Sequence, residues 1–169
     1  MELKIYGDPV LRKRCDKVNK IDEKLRATAE EMFKLMKEKS GIGLAAPQVG
    51  ITKRFLAVDY TDKDSGKRDK LFLINPVIVD REGTEEAEEG CLSLPGFYEK
   101  VQRSAKISVR YLDLDGKSLT LTTDSFLAVI LQHEIDHLDG ILFIDRLSRL
   151  KRELFKKKWQ KSIRVADKQ

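Results

Sequence analysis

Residues 131–140 read LQHEIDHLDG and contain both histidines of the 169-residue chain. His133 and His137 stand four apart, with Glu134 beside the first. On a helix, side chains four apart share a face, with about 6 Å between Cβ atoms. Two imidazoles so placed can converge on one cation. Glu134 lies about 100° further round; it cannot stack on His133 but can reach a water held at an open coordination position. Two ligands and a general base on one rigid element are the physical content of H-E-x-x-H. The run before the pair is apolar (Phe126, Leu127, Val129, Ile130, Leu131), which puts the histidines on a buried helix. Asp136 and Asp139 are available as acceptors for ring N–H groups, although aspartates so placed more often cap or face solvent.

A catalytic site of this kind needs a third protein ligand and one open position. Histidine is exhausted, which leaves a cysteine or a downstream carboxylate. Cys91, in EEAEEGCLSLPGFY, occupies an irregular, partly extended setting from which a thiol can be aimed at a helix. Glu153 is the carboxylate alternative and stays open at this point, although the chemistry favours Cys91. Cys15 follows the basic stretch LRKRC, lacks such framing and reads as a packing residue.

Outward from this helix the chain alternates between helical and extended patterns. Asp22 caps a helix with Leu25, Ala29, Met32, Phe33 and Met36 at helical spacing, and Gly41 would end it. GIGLAAPQVG holds too much Gly and Pro for a regular element. RFLAVDY and LFLINPVIVD are extended, joined by the charged turn DKDSGKRDK; Pro76 marks an edge or an irregularity. KISVRYLDL and KSLTLTT form a hairpin around Asp115-Gly116. Asp124 would cap the histidine helix and Gly140 close it. ILFIDRL is an extended link. A terminal amphipathic helix comes last, over about 147–165, with Leu147, Leu150, Leu154, Phe155 and Trp159 on one side. The fold class is α+β: one domain over 1–169, antiparallel sheets around a central metal-binding helix, and a helix at each end.

Hydrophobic residues make up 41% and charged residues 36%, which suits a soluble globular chain. No apolar run approaches the ~20 residues of a membrane span, and MELKIYGDPVLRKRC lacks a signal-peptide core. A cytoplasmic chain, in the bacterial cytosol, is the expectation. Between Arg146 and Gln169 ten Lys or Arg face two acids; the whole chain is +5, so residues 1–145 carry −3. The basic character belongs to the tail. Gly41-Ile42-Gly43-Leu44-Ala45-Ala46 matches a dinucleotide fingerprint, but a helix precedes it and Pro47 breaks the helix that should come after it, so no nucleotide cofactor is expected. Its glycines suit close approach of backbone to a ligand, and Gln48 places an amide nearby.

GIGLAAPQVG, EGCLSLPG and QHEIDHLDG, in this order and at these separations, resemble the three motifs of the peptide deformylases. The resemblance spans the chain from its first helix to its last. It implies Cys91, His133 and His137 as metal ligands and Glu134 as acid/base. The reaction it implies is removal of the formyl group from the N-terminal methionine of nascent polypeptides, a metal-held water attacking the formyl carbon and formate leaving. Gln48 and the Leu92 N–H match the donors to the oxyanion. Gly43 matches the segment that pairs with substrate backbone, and Glu89 and Gly90 fall in the second motif at the substrate side. Ile42, Val129 and Ile130 resemble the pocket for the methionine side chain. Some members carry an arginine shortly after the second motif; here Gly96-Phe97-Tyr98 suggests an aromatic wall formed by Tyr98. The resemblance also implies iron(II) in the cell, with zinc, nickel or cobalt able to substitute, and a transient ribosome contact through the basic C-terminal helix.

Overall fold

The computed structural model describes residues 1–166; Asp167 and Lys168, which enter the tail charge, lie outside the described residues. Helix α1 spans Glu23–Glu38, with the Asp22 carboxylate accepting from Leu25 N–H at 3.0 Å. It ends one residue earlier than expected, because Ser40 takes the left-handed conformation (φ 54°) rather than Gly41. Gly41 serves packing instead: a Cβ there would sit 2.6 Å from the Leu92 side chain. The Gly- and Pro-rich stretch is more regular than its composition suggested. It forms strand β1 (Gly43–Ala45) and a 3₁₀ turn (Ala46–Val49).

Strands β2 (Phe55–Thr61), β3 (Arg68–Glu82), β6 (Lys106–Leu112) and β7 (Ser118–Thr123) join β1 in an antiparallel sheet ordered β1-β2-β3-β6-β7. Pro76 is not on an edge strand, since β3 is third of five; it marks the irregularity. Having no N–H to donate, it sits where the β3–β6 register slips between Ile74 and Val77. Strands β4 (Glu85–Cys91) and β5 (Leu94–Arg103) make a separate two-stranded hairpin. Cys91 therefore ends a strand, at the point where the β4–β5 register slips between Gly90 and Cys91, so the partly extended, irregular setting expected for it is what the structure has.

The period-2 alternation of the large sheet sorts its side chains onto two faces. Leu56, Val58, Leu73, Val109 and Tyr111 pack with Leu127, Leu131, Ile135 and Leu138 of helix α2 (Phe126–Leu138). Phe55, Ala57, Phe72 and Ile74 pack with Ala29, Met32 and Met36 of α1. Ser125, not Asp124, caps α2, and Gly140 (φ 74°) turns the chain out of it, where a Cβ would lie 2.5 Å from the Arg12 carbonyl oxygen. The link after it is a 3₁₀ turn (Phe143–Arg146) rather than an extended strand. Helix α3 (Arg149–Ala166) docks mainly through Phe155, buried beside Tyr6, Phe97 and Trp159. Leu147 precedes the helix and is buried, whereas Leu150 and Leu154 are 71% and 48% exposed, so the expected stripe is split. Among the described residues no helix is long and apolar enough to cross a membrane. The architecture is α+β, with α2 held between the large sheet and the hairpin.

Candidate metal centre

Helix α2 brings His133 and His137 onto one face, and the end of β4 carries Cys91 to meet them. The two Nε2 atoms are 3.2 Å apart, and Cys91 Sγ is 3.3 Å from His137 Nε2. All three donor atoms lie within 4.8 Å of one another. Three electron pairs at such distances repel unless a proton or a cation lies between them. His133 Nδ1 faces Glu89 Oε2 at 2.8 Å, which assigns its proton to that nitrogen and leaves Nε2 as a lone pair aimed at the cluster. A thiolate with two imidazoles is a donor set for a borderline-soft divalent ion. The residues fit a metal. Glu153, the alternative third ligand, lies on α3, half exposed and paired with Lys156 at 3.0 Å.

Behind the ligands runs a buried row of alternating charges. Arg103 Nε and Nη2 donate to the two Glu89 oxygens at 2.6 and 2.9 Å. Arg103 Nη1 donates to Asp136 Oδ2 at 2.6 Å. Burial alone would raise the Glu89 carboxyl, but Arg103 and His133 outweigh it and hold it at about 2. Glu89 is thus a partner of His133, and the structure does not place it on the substrate side where the sequence reading put it. Asp136 and Asp139, the expected ring acceptors, bond arginines instead: Asp136 takes Arg103 and Arg146, and Asp139 takes Arg54 at 2.7 Å. His137 Nδ1 is buried with no hydrogen-bond partner among the described residues.

The Glu134 carboxylate is buried beside the cluster. Burial pushes it up to about 7, with the Glu89 charge adding to the rise and His133 opposing it. Its Oε2 has no partner among the described residues. Gly43 of β1 abuts the same carboxylate so closely that any Cβ would collide with it. Gln48, buried, accepts from Ala45 N–H through Oε1 at 2.8 Å. That bond turns Nε2 toward Ser93 Oγ (3.2 Å) and Cys91 Sγ (3.5 Å).

A cleft of about 720 Å³ opens over this floor. Ile42, Gly43, Gln48, Gly90, Cys91, Leu92, Tyr98, His133 and Glu134, all singled out from sequence, line it together. Tyr98 is 67% exposed and its ring covers Gly90, where a Cβ would lie 2.5 Å from the ring. Val129 and Ile130 are buried in α2, Ile130 within the core against the sheet; the α2 part of the cleft wall is Phe126, His133 and Glu134. Sequence reasoning missed Ser93, Arg103, Arg146 and the N-terminal residues Leu3 and Ile5, which also border the cleft or support it. Ser93 alone had a signal, its place in the Cys-Leu-Ser-Leu-Pro run. Arg103 and Arg146 had none, being two arginines among many.

A thiol and an imidazole pair around a single point, with a buried carboxylate of raised pKa at an open cleft, are the donor set and acid/base group of the metallohydrolase class. Comparison with known proteins makes that class specific. A profile of the polypeptide deformylase family matches residues 1–153. The peptide deformylase of Acidobacterium capsulatum is 47% identical over 162 residues, covering 96% of this chain and 95% of its own. That of Thermodesulfovibrio yellowstonii is 46% identical, covering 95% and 96%. Among solved structures, the Ehrlichia chaffeensis peptide deformylase superposes with a TM-score of 0.92 at 34% identity, covering 98% of both chains. The Synechococcus elongatus enzyme, solved in complex with actinonin, gives 0.87 at 41%, covering 95% and 88%. The chain belongs to the peptide deformylase family, metal-dependent hydrolases that take the formyl group from nascent peptides.

Proposed function

We propose that Cys91, His133 and His137 hold one divalent ion, iron(II) in the cell, and that Glu134 is the acid/base of formyl hydrolysis on formyl-methionyl peptides. The observation that carries this is the convergence of the three donor atoms within 4.8 Å beside a buried, partner-free carboxylate oxygen. A cation bound there supplies Lewis acidity, which lowers the pKa of a water and polarises the formyl oxygen. Glu134 takes a proton from the attacking water and passes it to the departing amine; its burial, which favours the protonated form, helps it hold the proton between the two transfers. Gln48 Nε2 keeps one hydrogen on Ser93 Oγ and turns the other, near Cys91 Sγ, to the developing oxyanion, together with the Leu92 N–H. One such donor is worth about 3 kcal/mol.

β1 is an edge strand with β2 as its one sheet neighbour, so the backbone at Gly43 is placed to pair with an extended peptide. Gly90 forms the opposite side, with Tyr98 as an aromatic wall. Apolar lining from Ile42, Leu92 and Phe126 suits a methionine side chain. A site that closes tightly at the bound ion would admit the hydrogen of a formyl carbon and exclude the methyl of an acetyl group. The test measures bound metal and formate released from formyl-Met-Ala-Ser. One ion per chain and formate release abolished by chelation are expected. Cleavage of an internal peptide bond without formate would overturn the assignment.

The exposed cations of α3, Lys151, Lys156, Lys157, Lys158, Lys161 and Arg164, favour a ribosome contact in the bacterial cytosol. Cosedimentation with ribosomes across a salt series tests it, and equal pelleting of a protein lacking α3 would remove the idea.

A further inference from the structure

We propose that Arg146 and Asp136 are positioning residues for the ligand His133, acting through Arg103 and Glu89. Arg146 grips Asp136 with a two-point fork, Nε to Oδ2 at 2.6 Å and Nη2 to Oδ1 at 2.7 Å. Asp136 Oδ2 also receives Arg103 Nη1; Arg103 forks onto both oxygens of Glu89; and Glu89 Oε2 faces His133 Nδ1. Four side chains of alternating sign therefore run from the surface to a metal ligand. The inner members are sealed, with the Arg103 and Glu89 side chains 2% and 3% exposed. Arg146 is 39% exposed and Asp136 11%, so the row meets solvent at its Arg146 end.

The fold builds this row from four separate elements. Glu89 comes from β4, Arg103 from the end of β5, Asp136 from α2 and Arg146 from the turn after α2. That turn is fixed by its own contacts: Leu142 N–H donates to Asp145 Oδ2 at 2.8 Å, and Arg12 pairs with the same carboxylate at 2.5 Å. Arg146 is thereby presented back across ten residues to Asp136. Only an arginine can span both carboxylate oxygens in one plane.

Burial gives the row its leverage. Asp136 must satisfy Arg103 from a site 8% exposed, and a carboxylate there is costly without a second cation. Without Arg146, Asp136 turns toward water, its grip on Arg103 loosens, and the fork on Glu89 slackens. Glu89 fixes the proton of His133 on Nδ1, so slack at Glu89 lets the ring tilt. Partners of metal-bound histidines contribute about 10–100-fold to metal affinity. Arg146, three contacts further out than Glu89, belongs at the lower end of that range.

The inference rests on the three-ligand reading above, and its readout is not turnover. Cobalt(II)-loaded protein is challenged with a chelator, and both the rate of metal loss and the visible absorption bands are followed. Arg146→Gln should lose cobalt about 10-fold faster and shift the bands, with Arg146→Lys between it and wild type. Asp136→Asn, one contact nearer the ring, should lose cobalt a few-fold faster than Arg146→Gln, within the same range; if that buried variant fails to fold, the Arg146 series decides alone. Arg68→Gln is the control, because Arg68 makes an equivalent fork on Asp59 (2.7 and 2.6 Å) that leads to no ligand. Its rate and bands should match wild type. Cobalt loss within twofold of wild type in Arg146→Gln, or equal acceleration in Arg68→Gln, overturns the proposal. Wild-type protein that takes up no cobalt overturns the ligand assignment as well.

Discussion

Helices α2 and α3 are built on opposite terms. α2 has 13 residues, and from Leu127 to Leu138 every one is buried, including Gln132, His133, Glu134, Asp136 and His137. α3 has 18 residues, and Phe155 is the one buried among its described side chains. A buried polar group is costly unless it is bonded, so the polar residues of α2 have to be explained one by one. Most are: Gln132 bonds Ser104 and Ala128, Asp136 bonds two arginines, and His133 bonds Glu89. What stays unpartnered on α2 among the described residues, Glu134 Oε2 and His137 Nδ1, lies in the candidate metal centre. Most charges of α3 face solvent and carry no such demand; Arg152 is the exception, half-buried with Nη2 on the Asp145 and Leu147 carbonyls and Nε without a partner among the described residues. Polarity marks chemistry only where burial makes it expensive.

The largest effect that would sharpen this contrast is on Glu134. Glu134→Gln keeps size and burial but cannot carry a proton. Formate release should fall about 10²–10⁴-fold with bound metal unchanged. Loss of metal in parallel would make Glu134 a structural partner and remove the distinction between the two helices. The next effect falls on the single anchor of α3. Phe155→Ala should cost about 3–5 kcal/mol of stability in urea, because Tyr6, Phe97 and Trp159 lose their common partner. A cost below about 1 kcal/mol would mean that α3 is held by its charges.

Both helices were legible in the sequence, for different reasons. α3 shows helical spacing, but a stripe of five apolar residues cannot say which end meets the body; the structure uses Phe155 and leaves Leu150 in water. α2 was marked by His133 and His137, whose spacing has a geometric meaning within one element. Cys91 was legible as a thiol but not as the end of a strand, because EEAEEG lacks the β-branched residues that announce one. Gln48 and Gly43 lay in a stretch that composition alone would leave as loop. The charged row behind His133 was illegible, since Glu89, Arg103, Asp136 and Arg146 meet only through tertiary packing across four elements. Glu89 and Asp136 were each noticed and given the wrong neighbour for that reason.

A smaller effect separates the surroundings of the two helices. Cys15 donates its N–H to Leu138 O at the end of α2, and burial pushes its thiol up from 9.0 to about 11, with Arg54 opposing. Glu153 on α3 moves the other way from burial, lowered by its bond to Lys156. The folded state keeps the Cys15 proton after the unfolded chain has lost it. Its contribution is therefore complete below about pH 9 and is lost as pH rises toward 11, on the order of 2 kcal/mol. Stability curves of wild type and Cys15→Ala should converge over that window. Parallel curves would mean that the thiol ionises freely. The smallest effect is the sharpest check on α3. Leu150 is apolar, helical and in register with the expected stripe, yet 71% exposed. Leu150→Ala removes little surface from contact and raises helix propensity slightly, so urea stability should stay within about 0.5 kcal/mol of wild type. A loss of about 2 kcal/mol or more, of the kind a buried leucine gives, would show that this face is covered in solution, and α3 would then resemble α2 after all.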